Sequence, residues 1–94
     1  MHNKLTISST VQRNPDMLFN QLDGEVIMLS IENSEYYGMD AIGSRIWELM
    51  EKPIAVDVLV DSLIQEYDVE KAQCTTDVIE YLEELKKKNL IAVS

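Results

Sequence analysis

The two residue types that most often carry chemistry, histidine and cysteine, occur once each in this chain, at His2 and Cys74. A nucleophilic triad needs a base beside its nucleophile, and a structural metal site needs several converging ligands. His2 stands at a terminus that frays, and Cys74 has no second cysteine for a CxxC pair or an internal disulfide. Cys74 also shares its expected helix face with Val78, the setting of a small buried thiol rather than an activated one. Carboxylates are plentiful, with Glu83 beside Glu84 and Asp57 one turn from Asp61. These spacings place them on polar helix faces, where charges are solvated. No glycine-rich loop precedes a helix start, so the usual phosphate cradle is missing. The chain reads as a protein with no catalytic residues, no metal site and no cofactor. Binding is what remains.

Size and charge narrow the partner. The 94 residues make one domain over 1–94, with 1–15 as an extended arm or an extra strand. Acidic residues outnumber basic ones 17 to 8, for a net charge of -9. A surface that binds nucleic acid needs clustered Lys and Arg to neutralise phosphates, so nucleic acid is excluded. The one basic run, Lys86-Lys87-Lys88, falls where a helix ends and offsets the dipole there. No apolar run has the length of a membrane span, and MHNKLTISST carries no secretory signal. The expectation is a cytoplasmic protein that binds neither nucleic acid nor membrane.

Hydrophobic alternation and period supply the elements. In KLTISSTVQR, Leu5, Ile7 and Val11 fall on one side, and Asn14-Pro15 ends the segment. Asp23-Gly24 suits a two-residue type I′ turn, because both central positions of that turn need positive φ. With that turn, Leu18, Leu22, Ile27, Leu29 and Ile31 share one face of a hairpin, and Met17, Phe19, Val26 and Met28 share the other. Glu32-Asn33-Ser34 turns the chain again. Residues 35–39 return as a short third strand beside a middle strand over 25–31.

A helical period follows. Asp40 is the N-cap, Ile42, Ile46, Leu49 and Met50 recur with Trp47 beside them, and Lys52-Pro53 closes the helix. Gly43 lies one turn before Trp47, where a missing side chain admits the close approach of another backbone. Val56, Leu59, Val60, Leu63, Ile64 and Tyr67 form the apolar stripe of a second helix. Its start is poorly capped, because Ala55 stands where a hydroxyl is expected. The third helix runs from Glu70 to Lys88 with Cys74, Val78, Tyr81, Leu82 and Leu85 on one face. Asn89 suits the left-handed position after it, with Leu90 and Ile91 folding back. The fold expected is α+β, a three-stranded antiparallel sheet followed by three helices.

The stretch SEYYGMD sits where strand gives way to helix. In the simplest meander, Glu35, Tyr36, Tyr37, Gly38 and Met39 form an edge strand, and none of the lysines or prolines that blunt such edges is present. If the third helix packs nearby, edge and helix enclose a groove floored by backbone and walled by Val78, Tyr81 and Leu82. An extended peptide joining as a further strand gains main-chain hydrogen bonds from the edge and specificity from apolar pockets. Tyr37, Met39, Trp47 and Leu82 suit a core at these spacings. Tyr36 and Tyr81 suit either role.

The residues in this order resemble the PqqD-like family, small domains that recognise precursor peptides of ribosomally made, modified products. The matching parts are VQRNPDMLFNQLDGEVIMLSIENSEYYGMD, then Gly43, Ile46, Trp47 and Leu49, then Tyr67-Asp68-Val69. Asp77-Val78, Tyr81-Leu82, Leu85 and Asn89-Leu90-Ile91 complete the pattern, which covers nearly the whole chain from Val11. The resemblance implies a winged helix-turn-helix-like fold that binds a leader segment between its third strand and third helix. It implies partners too: the precursor leader, and a leader peptidase or other modifying enzyme to which the leader is presented. Carried onto this chain, the binding residues are Glu35 to Met39 with Asp77, Val78, Tyr81, Leu82 and Leu85. YYGMDAIGSRIW is most similar to the stand-alone leader binders of lasso-peptide clusters. The alternatives are a PqqD-type peptide chaperone for a radical enzyme, a winged-helix DNA regulator, and a structural subunit of a larger complex.

Overall fold

The computed structural model of the chain describes residues 5–15, 18–22, 25–30 and 35–94, with the backbone alone at 18, 21, 22, 28–30 and 35–37. The meander that the alternation implies is present: β2 (Leu18–Leu22), β3 (Glu25–Ser30) and β4 (Glu35–Gly38), in the order β2-β3-β4. Leu18 pairs with Leu29, Phe19 with Met28 and Leu22 with Glu25. Side chains alternate across a sheet, so Phe19 and Val26 stand on the face opposite Ile27. Asp23-Gly24, Glu32-Asn33-Ser34, Met17 and Ile31 lie outside the described residues. The third strand ends at Gly38, one residue early. Met39 N–H still donates to the Val26 carbonyl at 2.9 Å, which extends the ladder past the strand's end.

The Phe19–Val26 face turns toward α1 (Ala41–Leu49). Val26 is fully buried, and the Phe19 ring meets Trp47 edge-on with centroids 5.8 Å apart. Ser44 fastens the helix to the sheet. Its Oγ accepts the Val26 N–H at 2.8 Å and donates to the Met39 carbonyl at 3.3 Å, so buried polar groups satisfy one another. At the helix start, Asp40 accepts the Gly43 N–H at 2.7 Å as an N-cap.

One sheet followed by three helices is an incomplete account of the chain. A second antiparallel sheet, in the order β5-β1-β6, joins β1 (Thr10–Arg13), β5 (Ile54–Ala55) and β6 (Ile91–Val93). The arm is its central strand, with Val11 opposite both Ile54 and Val93 and fully buried. Ile7 does not follow Leu5 and Val11 inward. A turn closed by Ser9 N–H on the Thr6 carbonyl interrupts the alternation and leaves Ile7 50% exposed.

That turn also supplies what Ala55 lacks. Val56 N–H donates to the Ser9 carbonyl at 2.9 Å and Asp57 N–H to the Ile7 carbonyl at 3.1 Å. Arm carbonyls thus satisfy the orphan donors at the start of α2 (Val56–Glu66). The third helix, α3 (Lys71–Lys87), ends in a Schellman motif. Asn89 takes φ 60, its N–H donates to the Lys86 carbonyl, and Leu90 N–H donates to the Leu85 carbonyl. Leu90 and Ile91 are thereby folded into the core beside Trp47, Met50, Leu59, Leu63 and Leu82.

Candidate functional site

The order β2-β3-β4 leaves β4 at the edge of its sheet. β4 contains Glu35, Tyr36, Tyr37 and Gly38 of the expected docking strand. Gly38 is exposed, with nothing within 4 Å of the place a Cβ would take. Met39 is buried and its side chain belongs to the core. On α3, Asp77 is exposed, Val78 buried and Tyr81 half-buried, while Leu82 and Leu85 are buried in the core cluster. Leu82 and Leu85 therefore support the helix from behind, and Asp77 and Tyr81 carry the exposed surface of that face. The helical period places Leu82 and Leu85 on the inward side of the α3 stripe.

Where β4 runs into α1, a cavity of about 280 Å³ opens between the helices. Asp40, Ile42, Gly43 and Ile46 line it from the α1 side, and Leu63 and Tyr67 from α2. Val69, Gln73, Cys74, Asp77, Val78 and Tyr81 complete the wall. Reasoning from an edge strand reaches Val78 and Tyr81, and the family resemblance adds Asp77, but both miss the α1 and α2 contributions. The signals for α1 are Gly43, already marked for a close approach, and Ile42, an apolar residue left 46% exposed.

Gly43 does admit a close approach, by a ring rather than by a backbone. A Cβ at this position would lie 2.6 Å from Tyr81 Oη and 3.2 Å from its Cζ. Burial, with the Asp40 carboxylate adding to it, pushes the Tyr81 hydroxyl up to about 12. Burial, and then the charge of Asp77, likewise raises the Cys74 thiol and holds it protonated, which suppresses its nucleophilicity. On the outer side of α1, Arg45 ties the helix to the end of α2. Its Nε and Nη2 donate to the two Glu66 oxygens, each at 2.9 Å, and this pairing raises Arg45 and lowers Glu66. Among the described residues no group of three or more His, Cys, Asp or Glu side chains is placed to hold a metal ion. Nor is any helix among them long and apolar enough to cross a membrane.

An α+β domain of three helices and antiparallel sheets, with β4 at a sheet edge among the described residues and a cavity between the helices, is the class of protein these features define. The chain belongs to the PqqD family: the family model for coenzyme PQQ synthesis protein D matches residues 25–91. It is also similar to the solved structure of TbiB1 in complex with the TbiA(β) leader peptide. That likeness has 31% identity and a TM-score of 0.79, and it covers 85% of this chain and 93% of TbiB1. No curated protein sequence matches.

Proposed function

We propose that this protein binds the leader segment of a ribosomally made precursor peptide by strand addition at β4 and presents it to a leader peptidase or other modifying enzyme. Lasso-peptide biosynthesis is the pathway class we assign. The observation that carries the reading is an open β4 edge in a chain that shares its fold with a protein solved on a leader peptide. We read the helices with the β2–β3 hairpin as a winged helix-turn-helix outline turned to peptide recognition, acting in the cytoplasm and without catalysis of its own. The backbone of Glu35, Tyr36, Tyr37 and Gly38 pairs with the leader, with Met39 anchoring the strand's end in the core. Asp77, Val78 and Tyr81 form the helix side, held in place by Leu82 and Leu85.

Each added main-chain hydrogen bond contributes about 0.5–1.5 kcal/mol net, and each apolar anchor about 1.5–3 kcal/mol before ordering costs. A short segment therefore reaches the roughly 8 kcal/mol of micromolar binding. The family match itself favours a second reading, in which the enzyme served is a radical enzyme, as for a PqqD-type chaperone.

Hydrogen exchange tests the site, with the leader taken from a short precursor-peptide reading frame to be sought beside this gene. Protection should rise at residues 35–39 and along the α3 turn of Asp77 and Tyr81. Protection confined to the β2–β3 hairpin or to the arm would mean that another edge is used. Co-purification with a peptidase or with a radical enzyme then separates the two partner readings.

A further inference from the structure

At the end of β4 a side-chain hydroxyl is inserted into the ladder, and it comes from α1. Ile27 pairs with Gly38, so the next step of the register sets Val26 opposite Met39. Opposed residues of an antiparallel ladder exchange either both main-chain bonds or neither. Here only one is direct, from Met39 N–H to the Val26 carbonyl at 2.9 Å. The Val26 N–H goes instead to Ser44 Oγ at 2.8 Å, and that hydroxyl donates in turn to the Met39 carbonyl at 3.3 Å. We propose that Ser44 is a positioning residue for peptide binding, whose inserted hydroxyl sets how the β4 edge stands against α3. This rests on the strand-addition reading above.

The first turn of α1 is where the strand side and the helix side of that reading meet. Gly43 seats the Tyr81 ring of α3, since a Cβ on Gly43 would lie 2.6 Å from Tyr81 Oη. Ser44, the next residue, holds the end of β4, and its own N–H donates to the Asp40 carbonyl at 2.8 Å. Edge and helix are thus registered through two adjacent residues of one turn. Helix propensity alone favours alanine at this position, so the serine is explained by what it holds. Ser44 is 2% exposed, and Val26 and Met39 are buried beside it, so bulk water does not stand in for the hydroxyl. Without it, Val26 N–H and the Met39 carbonyl either close on each other or stay unpaired, at a cost. Both outcomes shift or loosen the last residues of β4, and a loosened edge must be ordered when a peptide binds.

Peptides selected from a randomised display library on the immobilised protein, and shown to protect residues 35–38 from exchange, supply the probe. Ser44→Ala should weaken them about tenfold, read by the anisotropy of the labelled peptide at a temperature where the variant is fully folded. Val60→Ala, a truncation in the buried face of α2, is the stability control. It should lower the melting temperature comparably and leave the affinity within about twofold. Equal losses of affinity in the two variants would make Ser44 a residue of general stability and overturn the positioning role. Unchanged affinity in Ser44→Ala would also overturn it, and strand addition would stand. If Ser44→Ala does not fold, Ser44→Cys decides under reducing conditions, because a thiol occupies the same place with weaker hydrogen bonds. It should weaken the peptides about threefold, and wild-type affinity there would sink the assignment. Should no selected peptide protect residues 35–38, strand addition fails and the role of Ser44 fails with it.

Discussion

The Tyr81 ring lies across the junction of α1 and α3, its hydroxyl against Gly43 and near the Asp40 carboxylate, and its tyrosinate is disfavoured by both burial and that charge. An unfolded tyrosine ionises near 10, whereas this one is pushed up to about 12. The sign follows from linkage: stability is fully present below pH 10 and is lost as the pH rises toward about 12. For a fully buried group a shift of about two units would correspond to about 2–3 kcal/mol, and because Tyr81 is only half-buried solvent screening reduces its contribution to about 1 kcal/mol. Urea unfolding at stepped alkaline pH should show this decline in the wild type and a shallower one in Tyr81→Phe. Parallel declines in the two proteins would assign the effect to other groups. Trp47 makes a different demand. It is fully buried, and its Nε1 has no hydrogen-bond partner among the described residues. Trp47→Ala should cost about 3–5 kcal/mol, a large share of the stability a small domain has. Trp47→Phe forfeits volume but no hydrogen bond, so denaturation should rank it as the milder change.

Asn89 shows how one backbone angle ends an element. Its φ of 60 is left-handed, and the motif it makes directs Leu90 and Ile91 into the core and sets up β6. Asn89→Ala should cost about 1–2 kcal/mol, because a Cβ is strained there without the local compensation asparagine has. Asn89→Gly should be close to neutral, and thermal melting of the two variants checks the order. Asn89 was readable in the sequence because αL caps have a residue signature, as were Asp40 and the long stripes of α2 and α3. The sheet β5-β1-β6 was not, for physical reasons. Its strands are two to four residues long, too short for alternation to register, and its pairings join residues about 40 and 80 positions apart. The Ser44 bonds to Val26 and Met39 were equally hidden, since a serine inside a helix gives no sign of what it faces. Ala55 looked like a weak start for the same reason: its cap comes from the carbonyls of Ile7 and Ser9, nearly fifty residues upstream.

The charge of the whole molecule bears on which polymer it binds. A helical outline of this kind invites comparison with DNA regulators, whose recognition helix lies along a polyanion. On α3 the exposed or half-exposed positions include Asp77, Glu80, Glu83 and Glu84, and its basic residues are Lys71 at the start, which pairs with Asp61, and Lys86 and Lys87 in the last turn. One of these, Lys87, pairs with Glu84 at 3.7 Å. The edge and the acidic face of α3 were legible in the sequence, since each follows from local pattern. The cavity was not, because it exists only once α1, α2 and α3 are packed together. Affinity for duplex DNA comes from neutralised phosphates and the counterions they release, with a slope of about -0.9 per phosphate in a salt plot. A chain with net charge -9 has repulsion to overcome before any such release. No retardation of duplex DNA is therefore expected in a gel shift at physiological salt. Sub-micromolar retardation with a steep salt slope would return α3 to the role of a recognition helix and leave the β4 edge without a function.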